Sequence, residues 1–139
     1  FVVAHSINTP FVVSGKMVDI FSPTLDVLTN PSVSSGNSAL YRDVTAELQS
    51  GTPSVLHATH RLMSQEYEDN VLRFMIKGPD QTPAVARVSY PYQGVEANIT
   101  VEDQQGQPVA FTFTDDGETF RVEFNNQIDG AVVEIEYGQ

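Results

Sequence analysis

Three histidines are the first candidates for chemistry, because an imidazole titrates near neutral pH and binds transition metals. Two of them, His57 and His60, lie three residues apart. On a helix this spacing would place both rings on one face, ready for a shared metal ion. The segment around them has the pattern of a strand, in which the two rings point to opposite faces. We therefore predict surface or boundary histidines and no shared metal.

The hydroxyl and glycine motifs predict neither nucleophilic nor phosphoryl chemistry. Ser14-Gly15 and Ser34-Ser35-Gly36 lack the Gly-x-Ser-x-Gly arrangement that exposes a serine nucleophile on a sharp turn. The chain contains no phosphate-binding glycine loop and no dinucleotide motif. It also has no cysteine, which excludes disulfides, thiol catalysis and cysteine-ligated zinc.

Carboxylates are abundant, and two pairs share a strand face. Glu66 and Glu68 lie near the tip of an expected hairpin, and Glu134 and Glu136 alternate with apolar residues. A glycosidase needs two carboxyl groups across a cleft, one of them with a raised pKa. The alternation explains the second pair as solvent-facing. A small carboxylate-dependent hydrolase is thus an alternative that requires a concave pocket near Glu66 or Glu68.

Calcium is the cation that the acidic turns favour, because hard ions bind several oxygens from turns. In an antiparallel meander, alternate turns lie at the same end of the sheet. We therefore expect Asp103 and Asp129 to approach each other, with Asp115 and Asp116 at the opposite end. Neither set has the EF-hand spacing. No other cofactor is predicted.

Tyrosines are the candidates for contact with a sugar ligand. Tyr90 and Tyr92 share one strand face, and Tyr67 lies elsewhere in the expected sheet. The absence of tryptophan argues against a dedicated sugar-binding module. The alternative is that Tyr90 and Tyr92 are core or interface aromatics.

Charge narrows the set of partners. The 139 residues carry a net charge of −11, and residues 89–139 hold ten acids and a single base. Nucleic acids and anionic membranes bind clustered lysine and arginine, so we expect neither as a partner. Most of the net negative charge lies in the C-terminal third, where the acidic residues have the pattern of the solvent-exposed face of a sheet. No apolar run reaches the roughly 18 residues that span a bilayer.

The elements that position these residues are predicted to be strands. Apolar and polar residues alternate in four runs between Val95 and Tyr137, which predicts a meander of four half-buried strands. Upstream, 55–67 and 71–77 form an expected hairpin with its tip at 68–70, followed by a strand at 84–90. These seven strands predict an antiparallel β-sandwich, Ig-like or jelly-roll-like.

The first fifty residues have a different pattern. Residues 1–5 and 11–21 are expected strands, and 39–48 could form either a short helix or the end of a strand. A Gln-Ser-Gly-Thr-Pro run at 49–53 has the composition of a linker. We therefore predict an N-terminal β subdomain or extra β layer at 1–48 and a sandwich domain at 53–139. The abrupt start at Phe1, without methionine, leads us to expect a piece of a longer protein.

Several short runs carry a resemblance to a known group of proteins. They are the segments 4–6, 9–15, 18–23 and 39–43, the last with Leu40-Tyr41-Arg42-Asp43, and the turns at 106–109, 116–117 and 128–135. Together they resemble the C-terminal, non-catalytic β-sandwich region of bacterial multidomain glycoside hydrolases. The resemblance implies a secreted or periplasmic protein with a catalytic domain upstream in the same polypeptide. It carries over no catalytic residue, because it falls outside the catalytic barrel.

The function that we predict is that of a non-catalytic accessory module of a polysaccharide-acting enzyme. It would stabilise or dock on the catalytic domain, with Val2, Val3, Phe11 and Val13 as candidate docking residues, and contact polysaccharide weakly. The alternatives are an extracellular Ig-like adhesion or structural module and the small hydrolase described above.

Overall fold

The chain folds almost entirely into antiparallel strands, which confirms the predicted all-β class. A computed structural model describes residues 1–92 and 96–138, and this part contains fourteen strands and one short helix. The strands form three four-stranded sheets and one two-stranded ribbon. In the described residues, no helix is long and apolar enough to cross a membrane.

Two sheets make up the C-terminal sandwich, and we call them sheet 1 and sheet 2. Sheet 1 has the order β12-β13-β10-β7, with bounds β7 Val55–Ala58, β10 Pro83–Ser89, β12 Phe111–Asp115 and β13 Thr119–Asn125. Sheet 2 has the order β11-β14-β9-β8, with bounds β8 Arg61–Glu68, β9 Val71–Lys77, β11 Ala97–Glu102 and β14 Ala131–Tyr137. Their inner faces interleave in a single core, as the alternation of apolar residues requires.

The N-terminal residues form a smaller sheet and a ribbon. The sheet has the order β1-β6-β3-β4, with bounds β1 Val2–Ala4, β3 Lys16–Asp19, β4 Val27–Thr29 and β6 Ala39–Asp43. The ribbon pairs β2 Phe11–Val12 with β5 Ser32–Val33, and helix α1 spans Thr45–Ser50. The segment 39–48, for which we expected either a helix or the end of a strand, thus contains a strand followed by the start of a helix. The expected strand at 11–21 is broken at Gly15, whose φ of 119° lies outside the strand region.

The prediction of a four-strand meander is wrong. The strands exist where expected, apart from Val95, which lies outside the described residues. However, β11 pairs with β14 in sheet 2, and β12 pairs with β13 in sheet 1. A period of two shows that each strand has one buried face, but it does not say which of two facing sheets the strand joins. The turns after β11 and β13 therefore cross between the sheets.

The expected strand at 55–67 is also two strands. It breaks at Thr59 and His60, where the chain passes from sheet 1 to sheet 2, so the sandwich has eight described strands where we expected seven. The hairpin that follows is confirmed. Its tip is the two-residue turn Asp69-Asn70, with φ of 52° and 65°, the left-handed pair typical of a type I′ turn.

The N-terminal sheet packs on the outer face of sheet 1. Val18, Leu25 and Val44 share a small apolar core with Leu56 and Val85. The strand β10 is consequently buried on both faces, since Ala84, Ala86 and Val88 point into the sandwich core. This contact joins the two segments on either side of the predicted linker.

Candidate functional site

Two of the three tyrosines proposed for ligand contact lie together at one end of the sandwich. The hydroxyl oxygens of Tyr67, on β8, and Tyr92, just after β10, are 3.3 Å apart. The Tyr67 hydroxyl also donates to Asn70 Oδ1 at 3.2 Å. Both rings meet Tyr137 edge to face, at 6.3 and 5.7 Å between centroids. We call Tyr67, Tyr92 and Asn70 the tyrosine rim.

Tyr90 belongs to the core beneath this rim. It is only 6% exposed, and its ring lies 5.0 Å from that of Phe120 and 6.1 Å from that of Tyr137. Tyr92, by contrast, is 37% exposed. The two residues thus do not form a shared platform. The short segment between them, Tyr90-Pro91-Tyr92, leaves the strand after Ser89, so the face-sharing rule of a strand does not apply.

The hydroxyl of Tyr67 is held in its neutral, phenolic form. The hydrogen bond with Tyr92, together with burial, raises the pKa of Tyr67 to about 12. Burial raises the pKa of Tyr137 further above its ordinary value, and the same cause raises the pKa of Tyr90. Such hydroxyls donate and accept hydrogen bonds next to the apolar surface of an aromatic ring. A sugar ring has complementary groups, since its hydroxyls lie next to apolar C–H surface.

Asp103 and Asp129 lie at the same end of sheet 2, but for a different reason from the one predicted. Asp103 follows β11 and Asp129 precedes β14, and these two strands pair directly. The Asp103 carboxylate accepts the backbone N–H groups of Gln105 and Gln107, both at 2.9 Å, which shapes its own turn. Among residues 1–92 and 96–138, no three histidine, aspartate or glutamate side chains come close enough to hold a metal ion.

The two neighbouring histidines serve different contacts. His57 lies beside the Phe1 ring, with centroids 6.2 Å apart. His60 Nδ1 lies 3.2 Å from Asn126 Nδ2, beneath the crossing between the sheets. Burial lowers the pKa of His57, with a smaller contribution from Arg42, so its neutral form is favoured in the fold.

The carboxylate pairs lie on the outer face of sheet 2. Arg73 in the middle of that face forms an ion pair with Glu134 at 3.3 Å. A depression of about 250 Å³ beside it is lined in part by Glu66 and Gln104. Glu66 is exposed there and lies opposite Arg73 in the strand register. The pair Glu66 and Glu68 therefore lies on an open sheet face.

Sequence reasoning missed the most heavily bonded polar side chain, Arg87 on β10, which is 1% exposed. Its guanidinium donates to the backbone oxygens of Leu25 at 2.9 Å and Thr24 at 2.7 Å. It also donates to Asp116 Oδ2 at 2.5 Å and Thr119 Oγ1 at 3.3 Å. Arg87 thus ties the N-terminal layer to two strands of sheet 1. The signal was a single charge inside the otherwise apolar run of β10, which indicates a strand buried on both faces.

The candidate docking residues separate into buried and exposed sets. Val13 is 8% exposed and packs in the core of the N-terminal sheet, and Val2 is half-buried against it. Val3 is 73% exposed on the edge strand β1, next to Phe1 at 74%. Phe11 is 39% exposed on the ribbon. We call Phe1 and Val3 the β1 patch.

The fold and these sites define a two-sheet β-sandwich with an N-terminal β layer, an apolar edge and a tyrosine rim. Comparisons with known protein families, with curated proteins and with solved structures give no match to this chain.

Proposed function

We propose that this chain is a non-catalytic accessory module of a larger polysaccharide-acting enzyme, and that it docks on a catalytic domain of the same polypeptide. The observation that carries the proposal is the β1 patch. Val3 on the edge strand β1 and Phe1 just before it expose about three quarters of their surface, 73% and 74%. Burying apolar surface against a neighbouring domain is favourable by roughly 25 cal/mol per Å². The proposal includes no cofactor, and secretion or export to the periplasm is part of it.

The way the N-terminal layer is held supports a docking role. Arg87 and the shared core of Val18, Leu25 and Leu56 fix the layer on sheet 1. A domain that docks on the β1 patch would therefore take a defined orientation relative to the sandwich. The charge distribution also suits docking, because residues 1–88 carry eight acids and six bases while most of the acidity lies beyond them.

The test compares two charge insertions in the full-length gene product. Val3→Asp should lower the unfolding temperature of the catalytic domain, because it places a carboxylate in the docked interface. The matched control is Ile128→Asp, at a residue 71% exposed in the turn before β14, which should change nothing. A full-length product without a catalytic domain, or equal effects of the two substitutions, would refute the proposal.

Weak contact with polysaccharide is a second candidate function, favoured by the tyrosine rim. We propose that Tyr67 and Tyr92 bind a sugar ring with their hydroxyls and exposed edges. A glycan array should show binding that Tyr67→Ala and Tyr92→Ala both abolish, while Phe21→Ala, at an aromatic 62% exposed elsewhere, keeps it. Tyr90→Ala is unsuitable as a probe because it would open a cavity in the core. Absence of binding to every glycan would remove this contact and leave only docking.

The alternatives make different predictions. A hydrolase that uses Glu66 would lose polysaccharide cleavage in Glu66→Gln while keeping its stability, since Glu66 is exposed. An Ig-like adhesion module would bind a surface partner without any catalytic domain in the full-length product. Either result would replace the proposal above.

A further inference from the structure

Strand β12 is the free edge of sheet 1, and its hydrogen-bonding pattern can be read from its hairpin. The Asp116 N–H donates to the Thr119 oxygen at 2.9 Å. Hydrogen-bonded and non-hydrogen-bonded pairs alternate along an antiparallel ladder. Thr114 and Thr112 therefore bond to β13, and the N–H and C=O groups of the three intervening residues point away from it. Those residues are Phe111, Phe113 and Asp115, and no described residue pairs with them on that side.

The other three edges of the sandwich are protected. Strand β8 carries a bulge between Leu62 and Ser64 and has charged side chains along it. Strand β11 is covered at its C-terminal end by the chain that follows it, through the Glu102–Pro108 bridge and the Val109 N–H bond to Val101 O. Strand β7 has four residues and an irregular register with β10. Bulges, charges and coverage of this kind prevent edge-to-edge association.

Strand β12 has neither a bulge nor a covering segment among the described residues, and its single charge, Asp115, lies at its C-terminal end. It pairs with β13 in regular register over all five residues, Phe111–Asp115, and contains no proline, lysine or bulge. Phe111 and Phe113 are 37% and 42% exposed beside the free backbone groups. Alternating phenylalanine and threonine is also a sequence with high strand propensity.

We propose that β12 pairs with β12 of a second copy of this chain, antiparallel, with the two-fold axis at Phe113. In this register Phe113 faces its own counterpart, Thr112 faces Thr114, and Phe111 faces Asp115. The free N–H and C=O groups of each strand then meet, forming six backbone hydrogen bonds by the alternation rule. Of the five side-chain pairs, one is aromatic with aromatic and two are threonine with threonine, both favourable across strands. The two remaining pairs join Phe111 to Asp115, so no like charges stand opposite each other. The two copies of sheet 1 become one continuous eight-stranded sheet.

The association is expected to be weak and strengthened by salt. An interface of two five-residue strands stays below about 1,200 Å² of buried surface, which is typical of transient complexes. Each copy also carries a net charge of −11, so long-range repulsion opposes the dimer until salt screens it. This inference is independent of the proposed docking function, which uses β1.

Sedimentation at increasing protein concentration and at low and high salt tests the dimer. In a variant that combines Thr112→Lys with Thr114→Lys, the lysine at 112 of each copy faces the lysine at 114 of the other. The repulsion in these two pairs should weaken dimerisation on the order of tenfold. The two substitutions reduce the net negative charge, so overall repulsion cannot explain such a loss. Thr112→Lys with Thr114→Glu makes the same pairs complementary and should restore the dimer. Thr100→Lys, at an exposed position of β11, is the control and should leave it intact.

Cross-linking tests the register itself, and the chain has no cysteine to interfere. In the proposed pairing, residue 112 of one copy lies opposite residue 114 of the other. Oxidising a mixture of Thr112→Cys and Thr114→Cys variants should give a cross-linked dimer, whereas either variant alone should give little. A monomer at every concentration up to about 1 mM, or equal cross-linking of the single variants, would overturn the proposal.

Discussion

The substitution Arg87→Met removes the charged side chain that joins the N-terminal layer to sheet 1. Methionine keeps most of the side-chain volume, so the change mainly deletes hydrogen bonds. Two of these bonds reach the backbone oxygens of Thr24 and Leu25, and two reach Asp116 and Thr119. The buried acceptors lose their donors, and Asp116 loses its partner.

The expected cost follows from what is left behind. Removing one partner of a buried ion pair costs about 3–5 kcal/mol, because the remaining polar groups stay buried without compensation. Asp116 is 42% exposed and recovers water, which favours the lower part of that range. We therefore expect the free energy of unfolding to fall by about 3 kcal/mol, out of a total of roughly 5–15 kcal/mol for a domain of this kind.

Urea unfolding followed by circular dichroism measures this change. Arg121→Met is the matched control, since Arg121 lies on the neighbouring strand β13, is 22% exposed and makes polar contacts with Thr114 and Glu123. It should cost less than about 1 kcal/mol, as partly exposed ion pairs do. Hydrogen exchange should also show faster exchange in residues 24–26 of the Arg87 variant. Equal stability losses in the two variants would refute the role assigned to Arg87. If Arg87→Met does not fold, Thr119→Val, which removes a single hydrogen bond, gives the smaller step.

Three further perturbations test the other groups. Burial lowers the pKa of His57, so the unfolded chain binds a proton before the folded chain does as the pH falls below 6.5, and the free energy of unfolding should decrease in that range. In urea titrations, His57→Gln should remove part of this decrease. The pKa of Tyr67 is about 12, and Tyr92→Phe should bring it closer to 10 in a tyrosinate absorbance titration, because the hydroxyl of Tyr92 is the main cause of the shift. A Cβ added at Gly78 would lie 2.6 Å from a ring carbon of His60, so Gly78→Ala should lower the free energy of unfolding by about 1–3 kcal/mol. A smaller loss would show that the His60 ring moves aside freely.

The sequence was informative wherever a signal is local. Alternation located the strands of the sandwich, because a half-buried strand repeats its environment every second residue. Asp69-Asn70 and Asp116-Gly117 marked hairpin turns, since turn conformation depends on a few adjacent residues. The helix after β6 overlaps the segment 39–48, for which we expected either a short helix or the end of a strand, although it begins later than that segment.

The candidate site was only partly visible, because burial of an aromatic depends on its distant neighbours. Tyr67 and Tyr92 were named from their residue type, and their hydroxyls do meet. Nothing local distinguished Tyr90, which lies under them against Phe120. Nothing local identified the backbone partners of Arg87 either, since Thr24 and Leu25 are about sixty residues away in the N-terminal layer.

Strand partnership is what the tertiary structure alone decided. The local pattern of β11 to β14 is the same whether the four strands form one meander or are shared between two facing sheets. The choice depends on packing both apolar faces against each other, which joins β11 to β14 and β12 to β13 and leaves β12 at an edge. Composition and alternation thus determined an acidic, antiparallel β protein. Long-range packing decided which side chains form its core and which edges it presents to a partner, because those contacts join residues that no local sequence window contains.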